Sequence, residues 1–102
     1  MNKALASTKT IESLYENPLV KDFKVEEDPL KDNKVVIHIM VDMDYYWDKG
    51  DNGYGGYHNI SDIKNNIKDI LRLIGITDVN YKFYLDNESE YIDKWNQRFL
   101  KK

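Results

Sequence analysis

Four aspartates follow one another closely in the middle of the chain and are the residues best suited to chemistry. They are Asp42, Asp44, Asp48 and Asp51. Asp42 and Asp44 stand two residues apart, so an extended strand places both carboxylates on one face, where they could hold a divalent cation. The calcium-loop pattern also requires a closing glutamate, and none follows before Glu88. A metal-dependent enzyme using Asp42 and Asp44 is therefore kept as an alternative, and no residue is assigned as a metal ligand.

The two histidines offer no recognisable catalytic arrangement. His38 and His58 are 20 residues apart, and no serine accompanies either of them in a nucleophile pattern. The chain has no cysteine, which excludes disulfides, thiolate metal sites and a cysteine nucleophile. No nucleotide-binding or zinc-binding motif occurs. The sequence predicts a protein that is not an enzyme, with no catalytic residue and no cofactor.

Residues 44–58 form the most unusual segment of the sequence. They contain five of the chain's 13 aromatics and four of its five glycines. Connections of this length without secondary structure are uncommon in small domains and are often functional, and rigid aromatics on an adaptable backbone are typical of binding loops. Asn52-Gly53 also favours a hairpin turn, so the alternative is a β-hairpin that continues the preceding strand. The segment predicts protein-contact residues at Tyr45, Tyr46, Trp47, Tyr54 and Tyr57.

One short motif in this segment suggests a different partner. Gly53-Tyr54-Gly55-Gly56 matches the G-x-x-G pattern, and with the predicted order of elements it resembles the type II KH fold of RNA-binding domains. In KH domains this motif joins two helices, whereas the sequence predicts a single helix here. The neighbouring aspartates also have the wrong charge for holding phosphates. No residue of this chain is therefore assigned a KH binding role. An RNA- or single-stranded-DNA-binding module with stacking aromatics is an alternative to protein binding.

Hydrophobic periodicity predicts an α+β fold with the element order α-β-β-α-β-α. The strands are expected at about 19–27, 34–44 and 78–85, and the helices at 2–16, at 60–74 and from Asn87 onward. The second and third strands are joined by a crossover helix and should be parallel. The result is a small three-stranded mixed sheet with helices packed mainly on one face. Residues 1–102 are predicted to form a single globular domain.

The two faces of the second strand differ in character. One face is uniformly apolar and should pack under the helices, with Val35, Ile37, Ile39, Val41 and Met43. The other presents His38 and Met40, beside Tyr84 of the third strand. An apolar centre with a charged rim is typical of a contact surface, so these three residues are predicted to make protein contacts on an open sheet face. The alternative is that the loop or the last helix folds over this face.

Composition narrows the class of partner. The net charge is −3, which does not favour attraction to phosphate backbones. No apolar run approaches the roughly 18 residues needed to cross a bilayer, so no membrane contact is expected and a cytoplasmic location is predicted. Frequent Lys, Asn and Ile indicate a low-GC genome, which is compatible with a phage or mobile element. The predicted function is a small binding protein that contacts another protein, either a second copy, an assembly component or a host factor.

Overall fold

A computed structural model describes residues 7, 9–48 and 54–100 of the chain. A short 3-10 helix at Glu12–Glu16 precedes two strands, β1 (Val20–Glu27) and β2 (Lys34–Val41). Two helices follow, α1 (Met43–Asp48) and α2 (Tyr54–Arg72), and then β3 (Asp78–Leu85). The last helix, α3 (Ser89–Trp95), continues as a π-helical segment over Asn96–Leu100. The fold is α+β, as the periodicity predicted.

The three strands form one mixed sheet in the order β1-β2-β3. β1 is antiparallel to β2 and β3 is parallel to it, which confirms the predicted pairing and the central position of β2. The register places Lys24, His38 and Lys82 side by side across the sheet. Because side chains alternate along a strand, these three residues lie on one face, and the neighbouring residue Ile37 points to the other.

Most of the helices pack on the face that carries Ile37, where the main core lies. α2 supplies Ile63, Ile67 and Leu71 to this core at four-residue steps, which is the spacing of one helix face. The buried core residues of this face are Ile11, Leu19, Val20, Phe23, Val35, Ile37, Ile39, Val41, Met43, Ile63, Ile67, Leu71 and Ile76. The predicted apolar face of β2 is therefore confirmed.

α2 ends at Arg72, two residues before the predicted end, and begins earlier than predicted. Gly75 adopts a φ of 84°, and the Ile76 amide donates to the Leu71 carbonyl at 3.1 Å, which is the left-handed glycine termination expected there. The helix starts at Tyr54, whereas the sequence predicted a start near Ile60. Helical propensity alone gave no reason to extend it through Gly55 and Gly56, because glycine is a poor helix former.

The expected loop or hairpin over residues 44–58 was wrong. The part of this segment that the structure describes is helical. Met43–Asp48 is helical, so β2 does not continue into a hairpin arm. The side chain of Asp42 accepts the Tyr45 amide at 3.0 Å, and that of Asp86 accepts the Met43 amide at 2.9 Å. These carboxylates satisfy two amides of the first helical turn and favour the helix dipole. Residues 49–53, with the predicted Asn52-Gly53 turn, lie outside the described residues.

The second sheet face is covered by α3, so the expectation of an open sheet face was wrong. Trp95 packs with Met40 of β2 and Tyr84 of β3, and all three are buried. Tyr91 and Phe99 extend this small cluster. The alternative that the last helix folds over the face is therefore confirmed. Among the described residues, no helix is both long enough and apolar enough to span a membrane.

The ends of the described chain differ slightly from expectation. Of the first predicted helix, 2–16, residues 7, 9 and 10 are α-helical and Glu12–Glu16 is a 3-10 helix, while residues 1–6 and 8 lie outside the described part. The N-cap of α3 is Glu88, one residue after the predicted Asn87, and its side chain makes no capping hydrogen bond. Such shifts of one residue at a helix end are ordinary.

Candidate functional site

The predicted aromatic contact residues divide into two groups in the structure. Tyr45 and Tyr46 are half-buried and pack against the main core. Trp47 is 54% exposed, and its ring contacts the Tyr46 ring edge-on with centroids 5.2 Å apart. The side chains of Tyr54 and Tyr57 lie outside the described part of the structure. Of the described aromatics in this segment, Trp47 is the one that presents most of its surface to solvent.

The predicted aspartate pair does not form a shared site. Asp42 caps α1 through its bond to the Tyr45 amide, while Asp44 is exposed in the first helical turn. Residues two positions apart on a helix point to different sides, so the two carboxylates do not converge as they would on a strand. The side chain of Asp48 and the whole of Asp51 fall outside the described residues. No group of three metal-ligating side chains occurs among the residues described.

A buried polar centre lies between the sheet and α3. His38 is completely buried, and its Nδ1 lies 2.7 Å from the Tyr84 hydroxyl. Its Nε2 lies 2.5 Å from Oε1 of Glu26 on β1. A neutral imidazole satisfies both contacts if Nε2–H donates to the carboxylate and Nδ1 accepts from the phenol. We assign this tautomer from the hydrogen-bond partners.

Arg98 completes this centre and ties the end of α3 to the first strand. Its Nε and Nη2 both donate to Glu26 Oε1, at 2.9 and 2.6 Å. Burial opposes ionisation of Glu26, but the hydrogen bonds from Arg98 and His38 outweigh it and lower the pKa of that carboxyl. Burial lowers the pKa of His38 despite the neighbouring Glu26, which is consistent with a neutral ring at physiological pH.

Aromatic rings enclose the histidine on its solvent side. Phe99 meets the His38 ring edge-on at a centroid distance of 5.0 Å. Trp95 packs on Tyr84 at 5.1 Å and on Phe99 at 4.7 Å. The predicted contact residues His38, Met40 and Tyr84 are therefore buried inside the protein and are not available to a partner. Their composition reflects packing under α3.

Glu26 and Arg98 are members of this centre that the sequence did not single out. They are 72 residues apart, and no local pattern relates them. One signal was present for Glu26, because it lies on the same predicted strand face as Lys24 and therefore faces the row that contains His38. Nothing comparable pointed to Arg98, which belongs to a π-helical segment that periodicity does not predict.

The arrangement between β2 and β3 also differs from the prediction. Two helices, α1 and α2, occupy this connection, where one was expected. The sequence between them contains Gly50-Asp51-Asn52-Gly53, a second G-x-x-G match. The predicted motif, Gly53-Tyr54-Gly55-Gly56, does not join the two helices, because α2 begins at Tyr54. Comparisons with models of protein families, with curated proteins and with solved structures each found no match to this chain.

Proposed function

We propose that this chain is a small non-enzymatic, cytoplasmic binding protein whose contact with another protein centres on Trp47. The observation that carries this proposal is the 54% exposure of that side chain on a helix fixed at its first turn. Exposed tryptophan is costly to keep in water and is enriched among the residues that dominate binding energy. The partner is either a second copy of the chain or a component of an assembly or host.

The surroundings of Trp47 indicate the chemistry of that partner. Tyr46 holds the indole by an edge-on contact, which reduces the entropy lost on binding. Asp44 is exposed on the same helix, and Asp48 and Asp51 follow closely in the sequence. A surface with an apolar anchor and acidic neighbours fits a partner that offers an apolar pocket rimmed by Lys or Arg. Such cations also bind the indole face directly.

The expected contribution of this anchor follows from its exposed area. A tryptophan side chain carries about 250 Å² of surface, of which the exposed 54% is about 135 Å². At about 25 cal/mol per Å², burying that area contributes about 3 kcal/mol before entropic costs. This magnitude belongs to the range of a binding hot spot. Replacing Trp47 with alanine should therefore weaken binding by more than tenfold.

The experiment compares two exposed apolar residues. Tagged wild-type protein, Trp47→Ala and Leu73→Ala are used to capture proteins from lysate, and the partner enriched by wild type is then purified and titrated calorimetrically. Leu73 is 85% exposed just beyond the end of α2 and serves as the matched control. Loss of affinity confined to Trp47→Ala supports the proposal. Equal affinity of all three proteins for the purified partner refutes it, and light scattering tests the case of a second copy.

A second candidate function is binding of single-stranded nucleic acid. It is favoured by one observation, the pair of helices α1 and α2 with a G-x-x-G sequence between them at residues 50–53. This arrangement resembles KH domains, in which that motif clamps a nucleotide backbone. The aspartates beside it oppose phosphate binding. Fluorescence anisotropy with labelled RNA at low and high salt tests this second function. Absence of binding at low salt refutes it.

A further inference from the structure

A cavity of about 580 Å³ opens between β3 and α3, on the sheet face opposite to α1. This volume falls within the range of small-molecule sites in proteins, about 300–1,000 Å³. Its walls come from three consecutive residues of β3, Lys82, Phe83 and Tyr84, and from one side of α3 and the π-helical segment that follows it. The cavity does not include Trp47, so its occupation is independent of the function proposed above.

Charge is concentrated in the walls of this cavity. Three cationic side chains line it, Lys82, Lys94 and Arg98, and none of its lining residues is a carboxylate. The lining residues are cationic although the chain as a whole carries a net charge of −3, and the carboxylates that pair with Arg98 and Lys94, Glu26 and Glu90, stand outside the lining. Clefts lined by one sign of charge attract ligands of the other sign. The cavity therefore selects for an anion.

Each of the three cations has capacity for a further acceptor. Arg98 is oriented by Glu26 through Nε and Nη2, and its Nη1 takes no part in that pair. Lys94 lies 3.2 Å from Glu90, but both side chains are mostly exposed, so this pair contributes little and exchanges readily. Lys82 has no ion-pair partner among the described residues. Three cations from two elements match a group with several anionic oxygens.

The remaining walls of the cavity are aromatic. Tyr84 is buried and fixed by His38, and Tyr91 is half-buried and meets it edge-on at 6.5 Å and 85°. Gln97 adds an amide that can donate and accept. Tyrosine rings held in this way offer a surface on which a planar ring can stack.

We propose that this cavity binds a phosphate-bearing small molecule with a planar ring, of the nucleoside monophosphate class. The phosphate contacts Lys82, Lys94 and the free side of Arg98, and the ring packs against Tyr91. Binding weakens as salt is added, because the lysines are exposed to solvent and their charges are screened.

The test uses AMP, inorganic pyrophosphate and adenosine as probes, with isothermal titration and amide chemical shifts as readouts. AMP is expected to bind with a Kd of about 1 mM or tighter and to shift amides of β3 and α3. Adenosine, which lacks the phosphate, is expected to bind at least about tenfold more weakly than AMP. Pyrophosphate separates recognition of phosphate alone from recognition of phosphate with a ring.

A matched pair of variants completes the experiment. Lys82→Gln/Lys94→Gln should weaken AMP binding about tenfold or more, since charged hydrogen bonds are lost. Lys24→Gln removes the same type of charge from the same row of the sheet, at the opposite edge, and should change AMP affinity less than about twofold. Thermal melts confirm that the variants fold. Absence of AMP binding, equal affinity for adenosine, or equal effects of the two sets of substitutions overturns the proposal, and pyrophosphate binding as tightly as AMP overturns the role of the ring.

Discussion

The hydroxyl of Tyr84 is expected to stabilise the fold through its bond to buried His38. Tyr84→Phe removes this hydroxyl and leaves the ring, so the contact with Trp95 is retained. In the wild type the hydroxyl lies 2.7 Å from Nδ1, and the two residues are 6% and 0% exposed. His38 is completely buried, so its Nδ1 is left without a donor, and an unsatisfied buried acceptor costs about 1–3 kcal/mol. This is a substantial share of the stability of a small domain, about 5–15 kcal/mol.

Urea unfolding measures this loss directly. The midpoint should fall in Tyr84→Phe with an unchanged slope, because the exposed area on unfolding stays the same. For a domain of this size each kcal/mol also lowers Tm by about 4–8 °C. The control is Tyr91→Phe, a neighbouring half-buried tyrosine whose hydroxyl makes no hydrogen bond within the described residues, and which should change stability by less than about 0.5 kcal/mol. If both variants unfold at the same midpoint, the assigned bond does not stabilise the fold.

Three further outcomes follow from the same geometry. The pKa values of His38 and Glu26 are lowered in the folded protein, so the unfolded chain binds more protons in acid. Stability should therefore be greatest above about pH 6.5 and fall progressively below it. A urea midpoint that is constant from neutral pH to about pH 4 contradicts this prediction. Asp42→Ala removes the cap of α1 and should cost about 1 kcal/mol in urea unfolding, whereas the exposed Asp44→Ala should cost less. Gly75→Ala should lower stability by about 1–2 kcal/mol because φ is 84°, although a Cβ meets no atom within 4 Å; an unchanged Tm refutes the strain.

The sequence predicted the sheet well because its signals are local. Alternation along β2 and β3 and the four-residue steps of α2 each specify one buried face, and these faces meet in the main core. α1 was not predicted, since Tyr45, Tyr46 and Trp47 favour strands by propensity. Its first turn also uses the Asp86 carboxylate, which comes from a distant part of the chain and is invisible to a local pattern.

The candidate contact site was predicted only in part for a related reason. Alternation shows that a strand has a second apolar face, but it does not say whether a partner or the chain's own helix covers that face. The deciding information was present in α3, where Tyr91, Trp95 and Phe99 recur at four-residue steps. The main core was already filled by α2, so this stripe had no other surface on which to pack. Trp47 is exposed in the structure, and its role as a contact residue stays a prediction.

The bond between Glu26 and Arg98 has a consequence for how the molecule is made. Ribosomes add about 5–20 residues per second, so the 72 residues between the two partners take roughly 4–14 s to synthesise. During that interval the face of β1 and β2 that α3 will cover lacks its helix. Its centre is a histidine beside a glutamate, with Lys24 next to the histidine in register, and Lys82 joins this row only when β3 is made. Hydrated polar groups of this kind disfavour aggregation of the uncovered face with other chains, whereas an entirely apolar face would promote it. The polar centre thus reduces the tendency of the nascent chain to aggregate before its last helix has been made.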